Sequence, residues 1–279
     1  MNRIDIAKTI ELIDFGTETW EWIDLWGTIV AETQREAMIQ EKKHIADTPY
    51  KKYVLCVVNK DLQTLAAIYL LLRCEIIHQA ASHVRLLCES LITTKYVSKD
   101  PGPRSDQFWG YLDIESYQIT ESLLEWESTT ANPAYVEKLE RFKESIKESY
   151  ERRKPEYSYM PKKGNRQRTF SNWCNKSVYS QAKEGGPELE RLYQLVYRQM
   201  SSYIHGTAWS LRRQISYCRD HHDPKIVLND VAAIIRTASA VWVEWAKFCC
   251  TDLGWGIEDL VLWVHDKNNE LDNNYFVMT

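Results

Sequence analysis

Apolar residues recur at spacings of three and four along most of the chain, and no stretch alternates convincingly with period two. Trp22, Trp26, Ile29, Val30 and Thr33 form one stripe within residues 18–44. Leu55, Val58, Leu62, Leu65, Tyr69 and Leu72 form a second. Ile77, Ala80, Val84, Leu87 and Leu91 form a third within 74–98, and Val227, Val231, Ile234, Ala238, Val241, Trp245 and Phe248 a fourth within 226–250. Each stripe is the core-facing side of a helix. Shorter helices are expected over 2–13 and around Ile257, Leu260, Val261 and Val264. The pattern predicts an all-α bundle of long helices, with residues 1–279 forming a single domain.

The breakers divide the bundle. Pro49, in Asp47–Tyr50, cannot continue a helix, and Asp100–Ser105 contains two further prolines. Residues 106–128 are helical and aromatic-rich. Asn132 and Pro133 read as an N-cap followed by proline at the first helical position. From there to Arg153 the helix is mostly charged, with Glu137/Arg141 and Glu148/Arg152 four apart, so it faces solvent. Residues 106–153 are thus expected to form a helical hairpin projecting from a core of about 55–215. A short helix over 175–184 ends at Gly185-Gly186-Pro187, and a long one over 188–219 ends at His221–Pro224. Residues 226–267 supply C-terminal packing helices.

Composition narrows the function. Ten glycines and eight prolines in 279 residues argue against a loop-rich β fold. The 11 tryptophans and 16 tyrosines must fill helix interfaces. A net charge of −4 excludes polyanion binding by overall charge, so any nucleic-acid contact needs a local patch. Residues 152–168 provide one, with seven basic side chains against the single acid Glu156. Lys162, Lys163, Arg166 and Arg168 would grip phosphates there, and Tyr157, Tyr159, Phe170 and Trp173 offer rings for stacking. A solvated basic loop is the alternative. Seven cysteines without a C-x-x-C pair, several among apolar neighbours, fit a reducing cytoplasmic setting. The N-terminus lacks a signal-peptide apolar core. The runs Leu65–Leu72 and Val231–Phe248 are interrupted by charges, and no membrane contact is expected. No cofactor is expected, because the chain has neither a glycine-rich phosphate loop nor a G-x-S-x-G elbow. His221, His222 and Asp223 adjoin at a helix end without a second ligand cluster and read as a polar turn rather than a metal site. His78 and His83, five apart, share no helix face.

Chemistry-bearing residues fall into register in Tyr193–Gly206. Leu192, Val196, Met200, Tyr203 and Thr207 form the apolar side of that helix. Arg198, Ser202, His205 and Trp209 form a second stripe. Seven residues apart, Arg198 and His205 lie within ~20° in azimuth, about two turns apart along the axis. Both reach one phosphate-sized object. Histidine titrates near neutrality and can move the proton of a ribose 2′-hydroxyl or of a leaving oxygen. Arginine keeps its charge and can hold a phosphate bidentately. Such a pair suits RNA cleavage without a metal, with Tyr197, Ser201 and Ser202 in support. One such pair is a thin active site, so a homodimer that joins two copies is expected. Arg85 and Glu89, four apart beside an apolar ladder, form a further charged pair. The alternative is a non-catalytic helical interaction protein, in which Arg85, Glu89, Arg198 and His205 make a structural polar network.

The Arg198-x6-His205 spacing resembles the arginine–histidine signature of the HEPN (higher eukaryotes and prokaryotes nucleotide-binding) superfamily. The chain is more closely similar to a bacterial helical family of unknown function, through Val84–Pro101, Arg168–Val178 and Leu192–Gly206. The polar residue after the arginine, Gln199, departs from the Asn, Asp or His common in HEPN nucleases. The resemblance implies an all-α fold and a dimeric ribonuclease of a toxin or anti-phage system, with an antitoxin or defence protein as partner. It also implies that the Arg85/Glu89 helix packs beside the His205 helix, with Asn172 and Trp173 at the edge of the shared pocket.

Overall fold

A computed structural model describes residues 17–41, 46–127, 133–161, 168–204 and 224–275. Helix α1 spans Thr17–Glu41, α2 Pro49–Arg73, α3 Ile77–Ser98, α4 Pro101–Glu127 and α5 Pro133–Arg153. A 3₁₀ turn, Lys154–Tyr157, leads into β1, Ser158–Tyr159, which pairs antiparallel with β2, Arg168–Thr169. Helix α6 spans Val178–Gly185 and α7 Pro187–Leu192; a π-helical turn over Tyr193–Tyr197 follows. Helix α8 spans Arg198–Ile204, α9 Pro224–Leu253 and α10 Glu258–Tyr275. The fold is all-α, with one two-residue antiparallel bridge among the described residues.

The prolines mark starts more sharply than stops. Pro49 opens α2 behind Thr48, whose hydroxyl accepts from the Lys51 N–H. Pro101 opens α4 only three residues after α3 ends, and Pro187 opens α7 two residues after α6. A first-turn N–H has no intrahelical partner, so proline costs nothing there. The Asp100–Ser105 segment, expected to be a break, is therefore mostly the first turn of α4.

Helix α3 is the centre of the bundle. It packs against α2, α9, α6, α8 and the π turn, while α1 covers α2 and α9. The α3 and α9 ladders are buried along their whole length, as are Trp22, Trp26, Ile29, Val30 and Thr33 on α1. Helix α2 is rotated from its expected face. Its buried line is Tyr53, Val54, Val58, Asp61, Leu65, Ile68 and Leu72, whereas Leu55, Leu62 and Tyr69 lie on the flanks. The rotation brings Asp61 inward, where the Trp245 indole donates to its carboxylate at 3.1 Å.

Helices α4 and α5 pair antiparallel. Tyr117 stacks on Tyr150 with centroids 3.8 Å apart, and Lys143 bonds Glu121 at 2.9 Å. Apart from Tyr150, α5 keeps no buried side chain. Helices α2 and α9 are long and apolar enough to cross a membrane by length and composition, so the charges interrupting their runs do not exclude a span. In the bundle 56% of the α9 window is already covered. Cys56 and Cys74 are exposed rather than packed among apolar neighbours, and Cys88, Cys174 and Cys249 are buried.

Candidate functional site

The site is built where α3 meets the segment Tyr193–Ile204. Arg85 donates to the Tyr197 hydroxyl at 2.6 Å, and its guanidinium carbon lies 4.6 Å from the centroid of the same ring. Two turns toward the N-terminus of α3, the His78 ring meets Tyr203 edge-to-face at 5.2 Å. One turn the other way, the Cys88 thiol lies 4.0 Å from the Leu192 carbonyl. The two segments therefore run antiparallel, and 78, 85 and 88 on α3 face 203, 197 and 192. Sequence spacing separated His78 from the site because its partner lies on another helix.

The chain folds this way locally because of the π turn. The Arg198 N–H reaches back to the Tyr193 carbonyl, five residues away. This wider turn absorbs one residue and re-phases α8 relative to α7. Tyr193 stacks on Tyr197 at 4.9 Å and 17°, and Tyr179 from α6 packs on Tyr193 at 5.2 Å. On the inner side Val196, Met200 and Tyr203 are buried, which is the apolar face the sequence predicts. The helix expected to run unbroken from 188 thus divides into α7, a π turn and α8; the stretch beyond Ile204 lies outside the described residues.

Charge is unevenly distributed over this seam. Arg85, with a side chain only 22% exposed, also faces Glu89 at 3.8 Å. Burial raises the Tyr197 hydroxyl above its ordinary range, while the bond from Arg85 opposes that rise. The phenol therefore stays neutral and accepts from the guanidinium. Burial pushes the Cys88 thiol up to about 12, which makes it a packing group. His83 is held below the ordinary imidazole range by burial. Arg198 is exposed, and its one hydrogen bond among the described residues goes to the neutral Gln194 amide, at 2.9 Å. Its charge thus faces solvent without a carboxylate partner among the described residues.

Other expected members lie elsewhere or are already engaged. Ser201 donates to the Tyr197 carbonyl at 2.6 Å, and Ser202 to the Gln199 carbonyl at 2.6 Å, so both hydroxyls bond back to their own helix. His205 falls outside the described residues, as do Lys162, Lys163 and Arg166. Arg168 is exposed and pairs with Tyr159 in the β bridge. At the start of the basic segment Arg153 bonds Glu156 at 3.2 Å and Arg152 bonds the Ser149 hydroxyl at 3.2 Å. Asn172 and Trp173 do not border the Arg85 seam. Trp173 packs on Tyr96 and Phe108, and Tyr96 lies eleven residues along α3 from Arg85, roughly 16 Å of helix. The Asn172 amide holds its own turn, accepting from the N–H groups of Cys174 and Lys176. Among the described residues no group of three or more His, Cys, Asp or Glu gathers as metal ligands.

A family model described as a family of unknown function, DUF5677, matches residues 51–223, more than half of the chain. The chain belongs to this family. No curated protein matches it, and no solved structure matches it. The DUF5677 region runs from α2 past α8, so it contains both sides of the Arg85–Tyr197 seam. It also contains the basic segment 152–168 and the α4/α5 hairpin. Helices α1, α9 and α10 lie outside it; α1 packs on α2, α9 packs on α3, and α10 packs on α1 and α9.

Proposed function

We propose that the DUF5677 region of this chain is a metal-independent endoribonuclease. In it Arg198 holds the scissile phosphate and His205 moves the proton between the ribose 2′-hydroxyl and the leaving oxygen. The observation that carries this reading is the exposed Arg198 guanidinium, bonded to a neutral amide and anchored beside the Arg85–Tyr197 clasp. An arginine without a carboxylate partner costs no ion pair when it takes a phosphate. The Arg198-x6-His205 spacing, which resembles that of HEPN ribonucleases, adds support, as does the run of basic residues in 152–168. With one Arg–His pair per chain, the active form is a homodimer. On this reading the enzyme acts in the cytoplasm in a toxin or anti-phage role, held in check by an antitoxin or defence partner.

The Arg85–Tyr197–Glu89 contacts favour a second reading, a non-catalytic helical interaction protein whose polar seam fixes the register of α3 against the π turn. The two separate on His205→Ala and Arg198→Ala. The nuclease reading expects each to remove RNA cleavage by purified protein, at least ~10²-fold, with the melting temperature kept. Unchanged cleavage, or no cleavage by the wild-type protein on structured and single-stranded RNA, overturns it. A large fall in melting temperature on His205→Ala supports the interaction protein.

A further inference from the structure

Helix α4 borders a cavity away from the Arg85 seam. Phe108, Tyr111 and Glu115 recur at three and four residues and so share one side of α4. With Trp109 they face the turn Ser171–Trp173 across a cavity of about 220 Å³. Its rings stand at steep angles to one another. Phe108 meets Trp109 at 84° and Trp173 at 74°, with centroids 5.4 and 5.6 Å apart. These rings pack edge-to-face on one another and border the cavity in different orientations. The Lys52 ammonium already lies 5.1 Å from the Trp109 centroid, at the neighbouring cleft that Trp109 also borders. Among the described residues that line the smaller cavity, the one charge is the Glu115 carboxylate. It is exposed and has no ion pair among the described residues.

The hydrogen-bonding groups of the lining decide which cation fits. The Tyr111 hydroxyl donates to the Phe170 carbonyl at 3.0 Å, and the Asn172 side chain is spent on its own turn. Glu115 and the exposed Ser171 hydroxyl remain. A plain ammonium has three N–H groups and a guanidinium five, so each must give up more hydration than the two remaining acceptors replace. A fully methylated ammonium has none, spreads its charge over methyl groups, and is held by ring faces and one carboxylate.

We propose that Phe108, Trp109, Tyr111, Trp173 and Glu115 form a cage for a methylated ammonium head group, carried by a small quaternary amine or by a methylated lysine. The test is ligand-observed proton NMR on the full chain, at constant ionic strength. The probes are tetramethylammonium, choline, a trimethyllysine peptide and the same peptide with unmodified lysine. Saturable broadening of the methyl resonances is expected, weakened at least about fivefold by Glu115→Gln and by Trp109→Leu. Glu115 is exposed, so Glu115→Gln reads the cage without disturbing the fold. Tighter binding of the trimethyllysine peptide than of choline identifies a protein tail as the source, and choline binding without peptide binding identifies a free amine. Absence of saturable binding by all three methylated probes overturns the proposal. So does equal binding of the unmodified peptide, or affinity unchanged in both variants.

Discussion

Asp61 is the residue whose position has the sharpest consequence for stability. It sits on the buried line of α2, and burial pushes its acid up to about 7, against the opposing bond from the Trp245 indole. The folded protein therefore holds this proton longer than the unfolded chain, whose aspartates titrate near ~3.9. The contribution is fully present below that ordinary range and is lost as pH rises through about 7. Asp61→Asn keeps an oxygen to accept from Trp245 and removes the titration. The variant should gain on the order of 1–3 kcal/mol over wild type at pH 8, and that advantage should shrink steadily toward pH 5. Urea unfolding at several pH values measures it; a difference independent of pH would show that the carboxylate does not titrate on unfolding. Periodicity alone did not place Asp61 inside, because the partner that tolerates it there, Trp245, lies 184 residues away.

At the scale of elements, apolar spacing made α1, α3 and α9 legible, since their buried lines are the ones the sequence marks. Two features were not. The π turn leaves no trace in composition, for Tyr193–Tyr197 has residues an α-helix accepts equally well. Its signal is tertiary: Tyr197 turned under Arg85. Tyr197→Phe keeps the ring for the guanidinium and removes the acceptor. It should cost about 1 kcal/mol, discounted for the partial exposure of Arg85, and lower the melting temperature by roughly 2–4 °C. An unchanged melting temperature would mean that the clasp adds no stability. The second feature is the docking of the α4/α5 hairpin. A Cβ on Gly110 would stand 2.6 Å from the Tyr157 hydroxyl, which is fixed by a 2.7 Å bond to the Gln107 carbonyl. Alanine normally gains about 1 kcal/mol over glycine inside a helix, but overpacking against a buried ring costs typically ~1–3. Gly110→Ala should thus be neutral to destabilising instead of stabilising. Hydrogen exchange should show α5 opening more readily than in wild type; a gain of stability with unchanged exchange would contradict this.

Across the whole molecule, the buried core extends beyond the region that the family model matches. Residues 51–223 hold the Arg85–Tyr197 seam and the α4 cavity, yet the core that positions both is closed from outside that range. The Trp26 indole donates to the Leu65 carbonyl at 3.3 Å, Trp242 to the Thr33 hydroxyl at 3.0 Å, and Lys95 on α3 pairs with Glu244 on α9 at 2.9 Å. Leu65, Ile68 and Leu72 on α2, with Val84, Leu87 and Leu91 on α3, are buried in the same core as Trp22, Trp26, Trp242 and Trp245. Exposing a large buried apolar side chain costs ~1.5–3 kcal/mol, so uncovering four of them costs roughly 6–12. That equals the entire stability of an ordinary domain, about 5–15 kcal/mol. A chain cut to 51–223 should accordingly be insoluble, or bind a hydrophobic dye and melt without a cooperative transition, while 17–275 should unfold cooperatively. A soluble 51–223 fragment with a sharp melt would show that α1 and α9 are accessory. On the expected outcome, activity assays of the Arg198 seam and binding assays of the α4 cage require the longer chain. Loss of function in a family-sized fragment would then report on the missing cover of α2 and α3 and not on either site.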